Sequence, residues 1–353
     1  MDAIVEPFID RIRSAAMRGE PLRLRGSGTK DFLGETLAGA ILDTRPLAGI
    51  VDYEPTELVI TARGGTPLSA IETLLQARGQ FLAFEPPRFR GDPTIGGVVA
   101  AGLSGPRRAA AGGVRDYVLG VTVLNGLGER LVFGGRVMKN VAGFDVSRLM
   151  AGSFGILGLI VDVSLRVMPV PAAEVTLMFE VGAQRAVSLF NQWARRPLPL
   201  SATYWHAGEA RVRLSGAETA VAAAQRVLGG SLVEASDGHA TWSALRDHRH
   251  PFLATPGPLW RLSMPSTTAD LALDGGVLIE WGGALRWLRS DEDPTVVRAA
   301  ARAAGGSAAL WYGDCRTAAM DSLDPATFAV HRRLKAAFDP RGVFNPGRLV
   351  PGL

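Results

Sequence analysis

The sequence predicts an α+β fold with more than one domain. Two small α/β units, one before residue 85 and one after residue 112, combine strand-like apolar runs with amphipathic helices. After Ala172 a further series of strands and helices begins, and its order predicts a smaller α+β domain. A chain of 353 residues is long enough to fill two such domains.

The first unit is defined by helical periodicity and by turn residues. Ile4, Phe8 and Ile12 recur at helical spacing and predict a helix over residues 3–18. Runs of apolar residues bounded by Pro and Gly predict short strands at 22–25, 40–43, 49–53, 58–62 and 81–84, together with a helix over 66–78.

The later elements follow from the same signals. The second unit contains a predicted helix over 94–102, a short helix capped by Asp145, and strands at 114–124, 130–133 and 159–167. The remaining chain predicts strands near Thr203 and Val212 and at 175–181, 231–234, 276–281, 284–289 and 308–311, and helices over 183–195, 218–228, 295–304 and 325–338.

Composition excludes several classes of function. Hydrophobic residues make up 47% of the chain and charged residues 20%, which is typical of a soluble globular protein. The net charge is only +4, and the Arg-rich chain has no basic run interleaved with aromatics, so we do not expect nucleic-acid binding. Cys315 is the single cysteine, which excludes an internal disulfide, a thiolate iron–sulfur cluster and a multi-Cys zinc site. Its expected role is that of a small buried apolar residue.

The N-terminus carries acidic residues where a signal peptide needs an apolar run. These residues are Asp2, Glu6 and Asp10, and the longest apolar runs of the chain are too short to cross a bilayer. We therefore expect a cytoplasmic protein that meets a membrane only through a partner.

The segment PTIGGVVAAGLSG resembles a helix start that can meet phosphate. A Pro and a Thr that can cap a helix precede two adjacent Gly residues, which let a ligand approach the backbone. The alternative is a small-residue helix packed in the core. The ligand-binding candidates are Pro93, Thr94, Ile95, Gly96, Gly97 and Ser104. Arg107 and Arg108 follow this segment, and we expect them to face solvent rather than phosphate.

A second glycine-rich segment, LRLRGSGTK, places a tight loop directly after a strand. It lacks the third Gly of a dinucleotide-binding fingerprint, and its Lys follows Thr, which excludes a Walker loop. The loop supplies amides and hydroxyls that suit an oxygen-rich ligand, although an ordinary hairpin turn remains the alternative. The candidates are Arg25, Gly26, Ser27, Gly28 and Thr29.

Four blocks in this order, at 22–30, 93–105, 112–129 and 145–169, resemble the FAD-binding domain of the vanillyl-alcohol oxidase and para-cresol methylhydroxylase (PCMH) superfamily. Within it the chain resembles the family of FAD-binding E subunits of glycolate oxidase complexes, and the tail FDPRGVFNPGRL adds to this likeness. The resemblance implies a PCMH-type two-lobed FAD-binding domain over 1–170, an α+β cap over 171–320, and a tail over 321–353 that returns to the first domain.

The resemblance also implies further contacts with the cofactor. Gly112, Asp116 and Val118 would lie near the flavin, and backbone groups of Gly158 and Ile160 would hold the adenine or ribose end. Asp116 could instead cap a turn. No His or Cys lies near the two glycine-rich segments, so FAD would be bound noncovalently. Where many relatives have Glu and Thr, this chain has Phe154 and Ile156, which predicts an apolar, packed turn.

Relatives that oxidise 2-hydroxy acids commonly carry a His-rich metal site in the cap. Here only His248 and His250 are close together, without an acidic partner at ligand spacing, so we expect a surface loop and no metal. Substrate candidates are Arg261, Trp281 and Arg286, because an Arg fork suits a carboxylate. The alternative is a solvated Arg beside a core Trp.

Three functions remain open at this stage. The resemblance implies an FAD-dependent oxidoreductase acting on CH–OH donors. This would be a subunit that takes part in oxidising glycolate to glyoxylate. It would work with a second FAD-containing catalytic subunit and an iron–sulfur subunit that passes electrons to quinone, peripheral at the inner membrane through the complex. The alternatives are a stand-alone FAD-dependent dehydrogenase of another small 2-hydroxy acid and a partner-binding scaffold that has lost FAD.

Overall fold

The structure is a computed structural model that describes residues 3–35, 37–135, 145–313 and 319–353. The predicted α+β class is confirmed. Within the described ranges, no helix has both the length and the apolar character needed to cross a membrane. Cys315, which we expect to be buried, lies outside the described residues.

The first half of the chain contains α1 (Glu6–Arg18), β1 (Leu22–Arg25), β2 (Ala40–Asp43), β3 (Ile50–Glu54), β4 (Val59–Arg63), α2 (Leu68–Gln76), β5 (Gln80–Phe81), α3 (Ile95–Ala101), α4 (Arg108–Ala111), β6 (Val118–Leu124), β7 (Arg130–Gly134), β8 (Leu159–Arg166) and β9 (Met168–Pro169). Short 3-10 turns cover Val114–Asp116 and Ser147–Met150.

The second half contains β10 (Ala173–Glu180), α5 (Ala183–Ala194), β11 (Leu200–His206), β12 (Glu209–Gly216), α6 (Glu218–Leu228), β13 (Ser231–Leu232), α7 (Ala235–Arg246), α8 (Pro251–Ala254), β14 (Leu259–Ser263), β15 (Gly276–Glu280), β16 (Leu285–Arg289), α9 (Pro294–Ala303), β17 (Ser307–Tyr312) and α10 (Pro325–Phe338). A further 3-10 turn covers Trp281–Gly283.

The two predicted α/β units share one sheet instead of forming two. The five strands lie in the antiparallel order β3-β4-β8-β6-β7, and Val163 on β8 pairs with both Ala62 and Val121. Strand β8 is buried on both faces because Val163 packs in one core and Val161 in another, which explains its nearly continuous apolar sequence. Helices α2 and α3 pack on the sheet and close the first core.

A separate small sheet stands beside this layer. Strands β1 and β2 pair in parallel, with Leu22 opposite Ala40, and α1 covers them with Phe8 and Ile12. The tail returns here after α10, because Phe344 forms a parallel bridge with Leu22 and is fully buried. The loop that follows β1 is therefore held between the first half and the tail.

The second half is built on an eight-stranded antiparallel sheet in the order β13-β10-β12-β11-β15-β16-β14-β17. Helices α5, α6 and α9 pack on one face. The other face forms an aromatic core with α7 and with residues of the first half, including Phe32, Leu33 and Phe89. This shared core positions the sheet directly against the region that holds the glycine-rich loop.

Most predicted elements are confirmed within a few residues, but three expectations are wrong and helix α7 was missed. Strand β5 ends at Phe81 instead of residue 84. Asp116 lies in a 3-10 turn that precedes β6. Asp145 does not cap the turn after it, because Val146 is the N-cap, and Asp145 instead accepts from the Ser147 hydroxyl. Helix α7 was not predicted.

Candidate functional site

The GSGT loop lies directly against the start of α3. A Cβ added at Gly26 would lie 2.2 Å from Thr94 Oγ1, so only glycine permits this approach. Gly28 has a φ of 74°, which glycine adopts without strain. Thr94 is the predicted N-cap of α3, and its Oγ1 accepts from the Gly97 amide at 3.4 Å. The two glycine-rich segments that the sequence suggested separately therefore form one site.

The first amides of α3 are already paired within the protein. The Ile95 amide donates to the Thr66 carbonyl at 2.9 Å, and the Gly96 amide donates to the Gly64 carbonyl at 2.7 Å. These two amides are therefore not free to donate to a ligand at this helix start. Only the Gly97 amide has a long, weak bond, so any ligand here must also be held by the neighbouring loop.

Two adjoining cavities, of about 100 and 70 Å³, lie between the loop, α3 and the tail. We call them together the loop–helix groove. Predicted residues that line the groove are Arg25, Gly26, Ser27, Gly28, Thr29, Pro93, Thr94, Gly96, Gly97, Gly158 and Ile160. Leu24, Lys30, Ala100, Phe154, Asn345 and Arg348 also line it and were not among the predicted ligands.

The loop side of the groove is suited to an anion. Lys30 Nζ donates to Thr29 Oγ1 at 3.3 Å, and no carboxylate of the described chain lies within 4 Å of it. Burial lowers the pKa of Lys30 to about 8. Ser27 Oγ is buried and has no hydrogen-bond partner among the described atoms. A desolvated ammonium and an unpartnered hydroxyl that line the same groove favour a ligand with negatively charged oxygen atoms.

The tail forms one wall of the groove through Asn345 and Arg348. Asn345 Oδ1 accepts from the Leu24 amide at 2.8 Å, and its Nδ2 donates to the Phe154 carbonyl at 2.6 Å. Arg348 donates to the carbonyls of Lys30 and Glu35, each at 3.0 Å. These residues are more than 300 positions from the loop, so only the family likeness of the tail could have pointed to them.

A buried ion pair fixes this tail. Lys335 Nζ donates to Asp339 Oδ2 at 2.6 Å and to the carbonyls of Ile156 and Phe344, each at 2.7 Å. Asp339 in turn accepts from the amides of Val343 and Phe344. The ammonium and both carboxylate oxygens of this pair are hydrogen-bonded, which anchors the tail wall of the groove.

The other predicted cofactor residues lie outside the groove. Ile95 and Val118 point into the first core, and Ser104 Oγ accepts from the Val114 amide at 3.0 Å. Asp116 Oδ2 accepts from the Gly113 amide at 2.8 Å and packs beside Gly112, which has a φ of 90°. Asp116 thus caps a turn, as the alternative interpretation proposed.

The three predicted substrate residues do not lie together. Arg261 lies 5.4 Å from the Trp281 ring, on the sheet face that meets the first half. Arg286 pairs with Leu262, which follows Arg261 on β14. Because successive residues of a strand point to opposite faces, Arg286 lies on the opposite face of the sheet from Arg261. It donates to the carbonyls of Thr268 and Ala269, which satisfies its guanidinium. The structure therefore separates Arg286 from the other two.

Titratable groups on the shared face have strongly shifted pKa values. Burial raises the pKa of Glu280 to about 7, while its Oε1 accepts from Trp287 Nε1 at 2.8 Å. Burial and the charge of Arg108 lower the pKa of Arg261 to about 10. Clusters of this kind are characteristic of functional sites, although ion-pair networks also produce them.

The expected surface loop at His248 and His250 is wrong. His248 stacks on Trp311 at 5.5 Å and meets Trp287 edge-on at 4.8 Å, and burial lowers its pKa to about 3. His250 lies 3.0 Å from the Tyr204 hydroxyl, and burial lowers its pKa to about 4. Across the ranges that the structure describes, no three His, Cys, Asp or Glu residues are grouped to hold a metal ion.

A larger cleft of about 820 Å³ opens next to His248, between the two halves of the molecule. It shares Thr29 with the loop–helix groove, so the two spaces adjoin. Its other walls include Phe32, Phe89, Leu253, Pro256 and Tyr312.

Comparisons with known proteins match this architecture to flavoproteins. Residues 5–134 match the FAD binding domain family, and residues 316–349 match the C-terminal domain of FAD linked oxidases. The chain is 45% identical over 349 residues to the glycolate oxidase subunit GlcE of Escherichia coli, covering 99% of this chain and 98% of that protein.

More distant similarities cover part of the chain. It is 31% identical over 184 residues to the glycolate oxidase subunit GlcD of Bacillus subtilis, covering 50% of this chain and 39% of that protein. It is 35% identical over 141 residues to D-2-hydroxyglutarate dehydrogenase of Xanthomonas citri pv. viticola, covering 39% of this chain and 29% of that protein. A solved alkyldihydroxyacetonephosphate synthase matches at a TM-score of 0.68 and 14% identity, over 97% of this chain and 75% of that one, which shows a common fold.

Proposed function

The chain belongs to the glycolate oxidase subunit GlcE family of FAD-linked oxidoreductases, and from that membership we propose that it binds FAD noncovalently and takes part in oxidising glycolate to glyoxylate. The observation that carries the proposal is the 45% identity over nearly the whole of both chains. An FAD binding domain is present over residues 5–134.

The loop–helix groove fits the diphosphate of FAD. Gly26, Gly28 and Gly97 leave the backbone open, while Lys30 supplies a positive charge that no nearby carboxylate of the described chain neutralises. The buried Ser27 hydroxyl without a hydrogen-bond partner is a further donor for a phosphate oxygen. We therefore add Lys30 to the proposed cofactor residues that line this groove, which are Arg25, Gly26, Ser27, Gly28, Thr29, Pro93, Thr94, Gly96, Gly97, Gly158 and Ile160. Ile95, Ser104, Gly112, Asp116 and Val118 lie outside the groove and have no part in the proposed diphosphate site.

Bound FAD would supply the two-electron acceptor for oxidation of the hydroxyl-bearing carbon, and the residues of this chain would supply binding and orientation. Arg261 and Trp281 lie on the sheet face that meets the first half of the chain. This position suits them to contact a substrate bound between the FAD-binding domain and the sheet. The single cysteine of the chain cannot ligate an iron–sulfur cluster, so electrons would leave through a partner.

The proposed assembly contains this chain, a second FAD-containing catalytic subunit and an iron–sulfur subunit. The matched GlcE and GlcD proteins are both named as glycolate oxidase subunits, which supports a complex of this kind. Within this chain we propose an FAD-binding domain over 1–170, a cap over 171–320 and a returning tail over 321–353. Any contact with a membrane would be made by the complex.

A stand-alone dehydrogenase of a small 2-hydroxy acid is the second candidate. The observation that favours it is the charged and aromatic cluster of Arg261, Glu280 and His248, whose pKa values are all shifted strongly by burial. Such a cluster is not needed in a scaffold that has lost FAD.

An anaerobic visible spectrum, recorded before and after glycolate, separates these functions. We expect a yellow protein whose flavin band bleaches with glycolate once the partner subunits are present. Bleaching by the chain alone would establish the stand-alone dehydrogenase. A colourless protein that cannot be reconstituted with FAD would overturn both oxidoreductase functions and would support the partner-binding scaffold that has lost FAD.

A further inference from the structure

Two arginines from different parts of the chain approach the same tryptophan ring. The Arg108 guanidinium, from α4, lies 4.7 Å from the centre of the Trp281 ring, and that of Arg261, from β14, lies 5.4 Å from it. Trp281 Nε1 donates to the Gly105 carbonyl at 3.2 Å, which fixes the ring at the junction between the two halves. Trp311 lies 5.9 Å from the Arg261 guanidinium.

Neither guanidinium is neutralised by the protein. Within the described ranges, no carboxylate lies within 4 Å of Arg108 or Arg261, whereas the guanidinium groups of Arg107, Arg213, Arg246 and Arg286 are ion-paired or bonded to carbonyls. Glu280 is the nearest acidic influence on Arg261, but its Oε1 is used by Trp287. Burial raises the pKa of Glu280 to about 7, so the carboxyl is largely protonated below neutral pH.

Two like charges that approach one ring without a counter-ion repel each other, and an anion that reaches both would relieve this repulsion. The charge of Arg108 lowers the pKa of Arg261, which is the sign of this repulsion. Guanidinium groups present several N–H donors in a planar fork that matches a carboxylate, and an arginine that is already stacked on an aromatic ring loses little freedom on binding.

We propose that Arg108 and Arg261, held by Trp281, bind the carboxylate of a small organic acid between the two halves of the molecule. This rests on the proposed function, because the acid would be the 2-hydroxy acid substrate or its 2-oxo product. Arg286 has no part in it, since it lies on the other face of the sheet.

The test is a titration of the purified full-length chain with oxalate, a small dicarboxylate with no hydroxyl-bearing carbon to oxidise, followed by tryptophan fluorescence and calorimetry. We expect wild-type protein to bind oxalate, and Arg108→Gln and Arg261→Gln each to raise the Kd by about tenfold or more. Arg226→Gln, which removes an exposed charge on α6, serves as the control and should leave the Kd unchanged.

Absence of oxalate binding by the wild-type protein would overturn the site, as would wild-type affinity in both arginine variants. Arg108 is exposed, so Arg108→Gln keeps the test valid even if Arg261→Gln fails to fold. The outcome is independent of the flavin assay. A colourless protein whose oxalate affinity depends on both arginines would keep this site and overturn the proposed function. If glycolate bleached the flavin band but oxalate affinity did not depend on either arginine, the proposed function would stand and this site would be overturned.

Discussion

Glu85 Oε1 lies 2.9 Å from Arg213 Nη2, and this contact joins the first half of the chain to the eight-stranded sheet. Arg213 is almost fully buried on β12. Arg107 completes the network, because its amide donates to Glu85 Oε2 and its guanidinium lies 2.7 Å from Glu174. The expectation that Arg107 faces solvent is therefore wrong. The segment after α3 is held by the contacts of Arg107 with Glu85 and Glu174.

Replacing Glu85 with Gln tests this network. Two buried guanidinium groups would lose a shared carboxylate, and we expect the free energy of unfolding to fall by about 3 kcal/mol. Urea unfolding followed by tryptophan fluorescence measures the change. Glu20→Gln removes a carboxylate from an exposed ion pair and should unfold at the wild-type urea concentration. Equal midpoints for Glu85→Gln and the wild type would contradict the account.

Glu280→Gln should change how stability depends on pH. The folded chain holds the Glu280 proton up to a pKa of about 7, whereas the unfolded chain releases it near 4.5. The native state binds more protons between these pH values, so wild-type stability falls as pH rises through this window. Gln keeps an acceptor for Trp287 and does not titrate.

We expect the Glu280→Gln protein to lose this component of the slope and to gain up to about 3 kcal/mol above pH 7. Urea unfolding at several pH values between 4.5 and 8 measures it. Glu57→Gln, at an exposed position, should retain the wild-type slope. If Glu280→Gln showed that same slope, the buried protonated carboxyl would be refuted.

Lys30→Gln tests the charge of the groove. Because Lys30 is desolvated with a pKa of about 8, a bound diphosphate would stabilise its charged form. We expect FAD affinity to fall about tenfold in Lys30→Gln. Wild-type affinity should also decrease as pH rises through 8, and this decrease should be absent in the variant. Titration of apo-protein with FAD, monitored by flavin fluorescence, gives both quantities, with Arg18→Gln as the exposed-cation control. A pH dependence that persists in Lys30→Gln would exclude this role.

The sequence predicts elements well where local signals are strong. Strand Leu22–Arg25 and helices Glu218–Leu228 and Pro325–Phe338 have the predicted bounds. Helical periodicity defines both helices, Gly229 ends the first and Asp324 caps the second. Helix α7 was missed because its polar sequence, with Gly238 in the middle, has little helical periodicity. The helix is held by a tertiary contact, because Trp242 packs in the aromatic core of the eight-stranded sheet.

Site residues were predictable only where glycine or capping signals are local. Gly26 and Thr94 could be identified separately, but their contact depends on how two distant segments pack. The roles of Lys30 and Asn345 depend on burial and on a return of the chain across more than 300 residues. Sheet register separates Arg261 from Arg286, and register is set by tertiary pairing.

Gly97 offers the most direct test of the groove, and its neighbour Gly96 provides a contrast. A Cβ at Gly97 would meet only the Thr94 Oγ1 at 3.2 Å, so the fold can accept a side chain there. A Cβ at Gly96 would meet backbone atoms of Gly64, with the carbonyl oxygen at 2.8 Å, so Gly96→Ala should destabilise the fold itself. A bulky residue at 97 would instead occupy the groove.

The decisive measurement is the FAD stoichiometry of purified wild-type protein and of Gly97→Leu, each checked for folding by urea unfolding. We predict one FAD per wild-type chain and a folded Gly97→Leu protein with little or no FAD. A folded Gly97→Leu protein that retains the wild-type amount of FAD would contradict the central claim that the groove between the GSGT loop and α3 holds the cofactor.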